Sequence, residues 1–511
     1  MSIERYLIDT NVIIGLEDNH TVQPAFADLL KLASKHNVAV VVHEAARDDI
    51  QRDRNAARRA ISLSKLEKFP LIRKVRGLDF AELETNFGSL PRPNDIVDAT
   101  LLDGIHRGAA DFLVTEDRGL HERARRVSAD LARRVLFVAD AVLLLRTTYE
   151  PIEISFRYVD EVTANEIQLS DPIFDSLRAE YEGFDEWWRR QCVAEHRPCW
   201  AIFDNGVAGL VVRKDETGAK TDAMNKCAKI LKICTFKVRP ENRGIKLGEL
   251  LLKKILWFAQ ANKYDLAYIT TYPNQAVLID LLEYYGFTNT NKKRDGELVY
   301  EKLFSRDRLL SMEGTSDFDL DRINYPRFIT EPPVRAFMVP IKEGYHDTLY
   351  PDLRNPIQRN LFEAAGLGVG PKRPGNTIRK VYLCRAQSQL GPPGSLLFFY
   401  KGRSQSPPSQ ALTAVGVFEE VSSAASARDL LLLTGGRSVY SEMEINDWDA
   451  AADRRVKVIN YLLAAYIDPP IGLVELQNFG IIRGHPPQSI CELDRTQINA
   501  LLPRLNLGFA T

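Results

Sequence analysis

Arg5-Tyr6-Leu7-Ile8-Asp9-Thr10-Asn11-Val12-Ile13-Ile14 carries a carboxylate at the end of an apolar run, close to the start of the chain. Phe112-Leu113-Val114-Thr115-Glu116-Asp117 repeats the arrangement far downstream. Runs without polar alternation read as strands buried on both faces, as in a parallel sheet covered by helices. Between the two runs lie a helical pattern over 25–35, the apolar strand 38–42 ending at His43-Glu44, and helical patterns over 45–68 and 96–106. A last strand is expected over 134–138. An acid at the carboxyl end of a parallel strand stands where open α/β sheets place ligand and metal chemistry.

Asp9, Glu44 and Asp117 each follow such a strand, so a parallel sheet brings them to one edge. A fourth acid is expected from the helix 96–106, in or just before which lie Asp95, Asp98 and Asp103. Asp98 is favoured, because Val97, Leu101, Leu102 and Ile105 form the apolar face and leave it at the edge of the core. Thr115 and Asn11 would orient the carboxylates. Clustered carboxylates repel one another and persist mainly where a cation neutralises them. The four acids therefore read as a Mg²⁺ or Mn²⁺ site that activates water against a phosphodiester. The competing reading is that they cap helices. Nearby, Arg47, Arg52, Arg54, Arg58, Arg59, Lys65, Lys68, Arg73, Lys74 and Arg76 make either a solvated helix face or an RNA-binding stripe.

The segments LIDTNVII, HE, DIVDATLL and FLVTEDRGL, in that order, resemble a PIN domain over residues 1–146. This is a metal-dependent ribonuclease fold used by many bacterial toxins. The resemblance implies an endoribonuclease with Asp9, Glu44, Asp98, Asp117 and Thr115 at its catalytic centre. It also implies RNA as substrate and, in a toxin-like setting, an antitoxin-like protein partner.

Residues 150–304 change character. A strand is expected over 152–158, then a hairpin of 199–203 and 207–213 about Asp204-Asn205-Gly206, since Asn-Gly between apolar runs is a hairpin signal. The long strand 228–238 runs into Arg239-Pro240-Glu241-Asn242-Arg243-Gly244-Ile245-Lys246-Leu247-Gly248, and a helix follows over 247–262. Strand, basic glycine-containing loop and helix start make a pyrophosphate-binding arrangement, with ordinary helix capping as the alternative. With the strand 266–270, Tyr272-Pro273-Asn274-Gln275-Ala276 and Leu281-Leu282-Glu283-Tyr284-Tyr285-Gly286-Phe287, the segment resembles a GNAT acetyltransferase. The resemblance implies that Val238, Arg243, Gly244, Ile245, Lys246, Leu247, Gly248 and Asn274 hold acetyl-CoA. Two positions depart from the family: Lys246 replaces its middle glycine, and Leu282 stands where its general-acid tyrosine often lies. Tyr284 and Tyr285 are the candidate substitutes. Glu186 and Glu195 are candidates for a water-mediated base.

Residues 305–333, with scattered charges and Pro326, Pro332 and Pro333, read as a linker. From 334 to 511 short strands are expected over 382–386, 395–400 and 411–421, making a small β-barrel. The pattern resembles a PUA-like domain of the ASCH/EVE kind, which implies RNA or modified-base binding. Arg379, Lys401, Arg403 and Tyr400 would clamp a nucleotide, or else belong to a packed barrel with solvated basic loops.

At 511 residues the chain is too long for one core. Its net charge of −1 gives no global field for nucleic acid, so any such binding must be local. No apolar run reaches the roughly 18 residues of a membrane span. The start lacks a signal-peptide layout, and the six cysteines contain no CxxC pair, which points to a reducing cytoplasm. The expectation is a multidomain α/β and α+β protein: a PIN-type ribonuclease, an acetyl-CoA-binding acetyltransferase module and an RNA-binding barrel. Two alternatives stand beside it. The chain is chiefly an acetyltransferase of RNA, aminoacyl-tRNA or protein whose first domain only binds RNA, or it is a nuclease whose second module senses acetyl-CoA.

Overall fold

A computed structural model describes residues 4–14, 24–52, 56–73, 79–149, 158–239, 246–304, 314–353, 377–386, 388–405, 407–434, 445 and 447–509. Contacts divide the chain into two compact units, Met1–Ile152 and Glu153–Thr511.

The first unit is built on a parallel sheet of β1 (Arg5–Ile8), β2 (Ala39–His43), β3 (Leu71–Ile72), β4 (Phe112–Val114) and β5 (Val135–Leu136), in the order β3-β2-β1-β4-β5. The apolar runs form its centre: Leu7, Ile8, Leu113 and Val114 are fully buried. Ile8 is level with Val42 on one side and Val114 on the other, so Asp9 emerges beside His43 and Thr115 at the carboxyl edge. Where one helix was expected over 45–68, two form, Ala45–Gln51 and Ala56–Leu66. Within the basic run Arg47 pairs with Glu67 at 4.0 Å and Arg52 with Asp49 at 3.5 Å, both at the surface.

The second unit holds two sheets. One comprises β6 (Asp160–Thr163), β7 (Pro198–Phe203), β8 (Val207–Glu216), β9 (Ile230–Val238), β10 (Leu266–Thr271), β11 (Thr288–Lys292) and β12 (Leu298–Leu303), in the order β11-β12-β10-β9-β8-β7-β6. Only β9 and β10 are parallel neighbours. The expected strand 152–158 lies outside the described residues except for Tyr158. The β7–β8 hairpin turns on Asn205 at φ 50° and Gly206 at φ 101°, the left-handed pair that a tight two-residue turn requires.

The other sheet comprises β13 (Ala336–Ile341), β14 (Arg379–Cys384), β15 (Leu396–Lys401), β16 (Ala411–Ala424), β17 (Val456–Gly472) and β18 (Cys491–Leu493), in the order β14-β17-β16-β15-β13-β18. β14 and β18 are its edges, and no pairing among the described residues closes it into the expected barrel. Its longest strand, β17, was not foreseen, and its strands are not uniformly short.

Of the stretch expected to be a linker, residues 305–313 lie outside the described residues and 314–333 are structural. The helix Asp317–Asn324 and the residues after it place Phe318, Tyr325 and Phe328 in one hydrophobic cluster. That cluster also contains Leu251, Ile255 and Tyr285 from the first half of the unit and Phe398, Val415 and Leu462 from the second. The two sheets thus share one core across the expected boundary at 305–333. Among the described residues no helix is long and apolar enough to cross a membrane.

Candidate functional sites

At the carboxyl edge of the first sheet, Asp9 is buried. Its Oδ2 accepts from Thr115 Oγ1 at 2.6 Å and its Oδ1 from the Thr10 amide at 2.6 Å. Thr115 also accepts from Asn11 Nδ2 at 3.1 Å and from the Asp117 amide at 3.0 Å, so its hydroxyl ties the two acids together. Burial pushes Asp9 up to about 6 despite these hydrogen bonds, and Asp117 adds repulsion. Burial also pushes Asp98 up to about 7, followed by the charges of Asp9 and Asp117.

The helix Pro93–His106 separates the three candidate acids on it. Asp95 closes the helix start and pairs with Arg92 at 3.0 Å and Arg123 at 2.9 Å. Asp103 pairs with Arg107 at 2.8 Å. These two are consumed by arginines, whereas the charges of Asp9 and Asp117 raise Asp98 more than Arg123 lowers it. Asp117 does double duty: its Oδ1 accepts from the amides of Gly119 at 2.7 Å and Leu120 at 3.3 Å, capping the helix Arg118–Val127. Glu44 directly follows β2 at the same edge, though it is not among the leading charges that act on Asp98 or Asp9. Among the described residues no three His, Cys, Asp or Glu side chains are placed to hold one metal ion.

In the second unit the feature of consequence is a fork. β9 and β10 pair only from Ile230↔Leu266 to Ile233↔Ile269. At that point the register of β8 against β9 passes over Cys234, for Arg213 faces Ile233 and Val212 faces Thr235. One extra residue is a β-bulge, which bends its strand and ends local pairing. Beyond it β9 continues to Val238 and β10 to Thr271, and the space between opens into a cleft of about 490 Å³.

Aromatic Tyr181, Phe184 and Trp187 line the cleft with the charged Glu182, Arg197, Lys237 and Glu297. Tyr181 donates to Glu297 Oε1 at 3.4 Å, and Lys293 donates to Glu297 Oε2 at 2.7 Å. Arg197 Nη1 lies 3.6 Å from Cys234 Sγ. Burial pushes the Cys234 thiol up, and the guanidinium draws it part of the way back. None of these residues was singled out from the sequence. They come from four separated stretches, and only the aromatic density before Trp188 hinted at them.

Of the residues expected to hold acetyl-CoA, Arg243, Gly244 and Ile245 lie outside the described residues. Lys246 has φ 61°, the left-handed conformation that a glycine adopts freely and a lysine rarely does. It leads directly into the helix Leu247–Ala261. A Cβ on Gly248 would meet Leu281 at 3.4 Å and Phe236 at 3.8 Å, so that glycine sits against β9 just past the fork. Val238 ends β9, Leu247 is buried, and Asn274 is exposed beside the cleft residue Gln275.

Tyr284 and Tyr285 do not line the cleft. Tyr285 is buried against Tyr325 with its hydroxyl 3.5 Å from Glu249 Oε1, and burial raises its pKa well above the ordinary range. Tyr284 lies under the guanidinium of Arg322, 4.5 Å from its ring centre. Neither is placed to serve as a general acid in the cleft, and Leu282 is core. Glu186 pairs with Arg190 at 2.8 Å and Glu195 with Arg197 at 3.0 Å, and neither lines the cleft.

In the last sheet the expected nucleotide clamp is mostly used internally. Arg379 is ion-paired with Glu419, and buried Lys401 pairs with Asp347 at 3.0 Å. Tyr400 is buried, and Arg403 alone of the four is exposed. The clamp is corrected accordingly: Arg379, Lys401 and Tyr400 belong to the packing of the sheet.

Solved structures resemble parts of the chain at low identity. The ASCH protein of Zymomonas mobilis shares 13% identity at a TM-score of 0.24, covering 34% of this chain and 96% of its own. NAA60 of Arabidopsis thaliana, in complex with a bisubstrate analogue, shares 12% at 0.24, covering 29% and 98%. The PaiA N-acetyltransferase of Thermoplasma acidophilum, in complex with coenzyme A, shares 11% at 0.23, covering 29% and 99%. No family model and no curated protein matches the chain. Likeness at this level carries no information on activity, substrate or partner.

Proposed function

We propose that residues 158–304 transfer an acyl group from acetyl-CoA to an amine. The observation that carries this is the fork at Cys234. Two parted strands present main-chain N–H and C=O groups along both walls of a cleft, which a peptide-like pantetheine arm can satisfy by strand addition. Beside it, the first turn of the helix Leu247–Ala261 presents main-chain N–H groups and a positive dipole end, which favour a pyrophosphate. Acetyl-CoA would supply an activated acyl carbon. An attacking amine must arrive neutral, and Glu297, Glu182, Asp222 and Tyr181 are among the cleft groups able to accept or relay its proton. Calorimetry on the full chain should detect acetyl-CoA binding. Thr270→Trp, which fills the cleft from the wall of β10, should weaken it at least tenfold. Labelled acetyl transfer to RNA, aminoacyl-tRNA or protein separates an enzyme from a sensor. Absence of binding by the unaltered chain would overturn the reading.

A second reading is favoured by the acids at this edge, where the charge of Asp117 acts on both Asp9 and Asp98. Hard carboxylate oxygens suit Mg²⁺ or Mn²⁺, but among the described residues no three acids are placed to hold one ion, so binding would require Asp9, Asp98 and Asp117, with Glu44 at the same edge, to close around it. Bound there, a divalent cation would supply an acidified water and charge neutralisation for phosphodiester cleavage. Thr115 holds the Asp9 carboxylate and accepts from the main-chain amide of Asp117. Purified protein should cleave RNA only with Mg²⁺ or Mn²⁺, and Asp9→Asn combined with Asp117→Asn should lower the rate by a factor on the order of a hundred or more. Unchanged cleavage by the double variant would end this reading.

A further inference from the structure

We infer that the C-terminal sheet sets the position of the helix Leu247–Ala261, and through it the affinity of the cleft for acyl-CoA. This inference rests on the acyltransferase reading. Glu249, Lys253, Trp257 and Gln260 lie at spacings of four, four and three on that helix, so they share one face. Such a polar stripe would ordinarily face water, yet Glu249, Lys253 and Gln260 are 6%, 4% and 5% exposed.

Each member of the stripe is bonded to residues beyond the first sheet of the unit. Glu249 Oε1 accepts from the Arg379 amide of β14 at 2.7 Å. Lys253 donates to Asp352 Oδ2 at 2.8 Å, and the same oxygen accepts from Tyr466 of β17 at 3.2 Å. Trp257 Nε1 donates to Tyr325 Oη at 2.7 Å, and that hydroxyl donates to the Leu463 carbonyl of β17 at 2.8 Å. Gln260 Oε1 accepts from Arg327 Nε at 3.2 Å. The opposite side of the helix packs on the first sheet, where a Cβ on Gly209 of β8 would meet Leu251 at 3.2 Å.

A helix held this way cannot slide or rotate freely. Moving it by one residue would leave buried charges without partners, which is strongly unfavourable, so only discrete positions are available. Its amino end meets Phe236 of β9 beyond the fork through Gly248. The end that would meet the cofactor and the flank bolted to β14 and β17 therefore belong to one rigid body. Linkage is reciprocal: a ligand that bound the C-terminal sheet and shifted these contacts would change acetyl-CoA affinity by the same factor as acetyl-CoA changed its own. Asp352 and Tyr325 are thus positioning residues, neither of which lines the cleft.

The test uses the full chain. Acetyl-CoA should slow amide exchange in β14 and β17 as well as around the cleft. Asp352→Asn, which keeps the size of the side chain, should raise the Kd for acetyl-CoA at least fivefold with unchanged circular dichroism. Tyr325→Phe, which removes only the hydroxyl link, should act in the same direction. If Asp352→Asn does not fold, the exchange measurement on the unaltered chain and the Tyr325→Phe affinity decide. Acetyl-CoA binding with unchanged exchange in β14 and β17, and affinities within twofold in the variants, would overturn the coupling while leaving the acyltransferase reading intact. No acetyl-CoA binding by the unaltered chain would overturn both.

Discussion

Gly286→Ala is expected to destabilise the second unit by more than about 3 kcal/mol, a large share of the stability of an ordinary domain. Gly286 follows the helix Ala276–Tyr284 at φ 83°, in the left-handed conformation that closes a helix. Its amide donates to Glu283 O at 3.0 Å, and the Phe287 amide to Leu282 O at 3.0 Å. A Cβ there would stand 2.1 Å from the carbonyl oxygen of Ile323, a main-chain atom with no room to retreat. Backbone strain from the positive φ alone costs about 1 kcal/mol. Gly296→Ala isolates that part, because Gly296 has φ 93° and nothing within 4 Å of the added carbon. Lys302 reinforces the same junction by donating to the Tyr285 carbonyl at 2.7 Å and to that of Ile323. Burial pushes its ammonium down to about 7, and its N–H groups match the two carbonyl acceptors in either protonation state. Denaturant unfolding of the two glycine variants decides the matter: equal losses would show that the approach of Ile323 is not limiting.

Asp98→Asn is expected to stabilise the first unit by about 2 kcal/mol at pH 8 and to have little effect near pH 4. The sign follows from the direction of the shifts. Asp98 and Asp9 titrate in the folded chain near 7 and 6, above their ordinary value of 3.8. Between pH 4 and 7 the folded state holds more protons than the unfolded one, so stability falls as pH rises through that window. The full penalty is present above pH 7, and an uncharged amide removes the part due to Asp98. Because the acids are coupled, the titration belongs to the group rather than to one residue. Mn²⁺ should raise the melting temperature of the unaltered unit at pH 8 and leave the Asn variant nearly unmoved. Equal destabilisation by Asp98→Asn at both pH values would show that the carboxylate is held by contacts the charge argument omits.

The first unit was largely legible because its signals are local. Apolar runs and the acids after them define strands and their carboxyl ends without knowledge of any partner. Preferring Asp98 to Asp95 and Asp103 drew on the helix face alone, and the pairing of Asp95 with Arg123 and Asp103 with Arg107 was not part of that reading. The first of those pairings depends on how a later helix folds back. The fork was hidden for a different reason. A bulge is a property of two strands in register, and 230–238 alone reads as an unbroken strand. Arg379 and Lys401 misled because Glu419 and Asp347, which engage them, lie far away in sequence. The stretch 305–333 misled because aromatic residues spaced among charges and prolines show no period, although Phe318, Tyr325 and Phe328 are core.

That shared core has a consequence for how this chain can be taken apart or inherited. Met1–Ile152 is one compact unit by itself. The remainder is a single article of furniture with two sheets for its panels and the helix Leu247–Ala261 as the rail between them. A cut at 305–333, where the sequence invites one, would strip Lys253 of Asp352 and Trp257 of Tyr325 and leave their counterparts facing water. Recombination that respects this molecule has one seam to use, near Ile152, and none between the cleft and the sheet behind it.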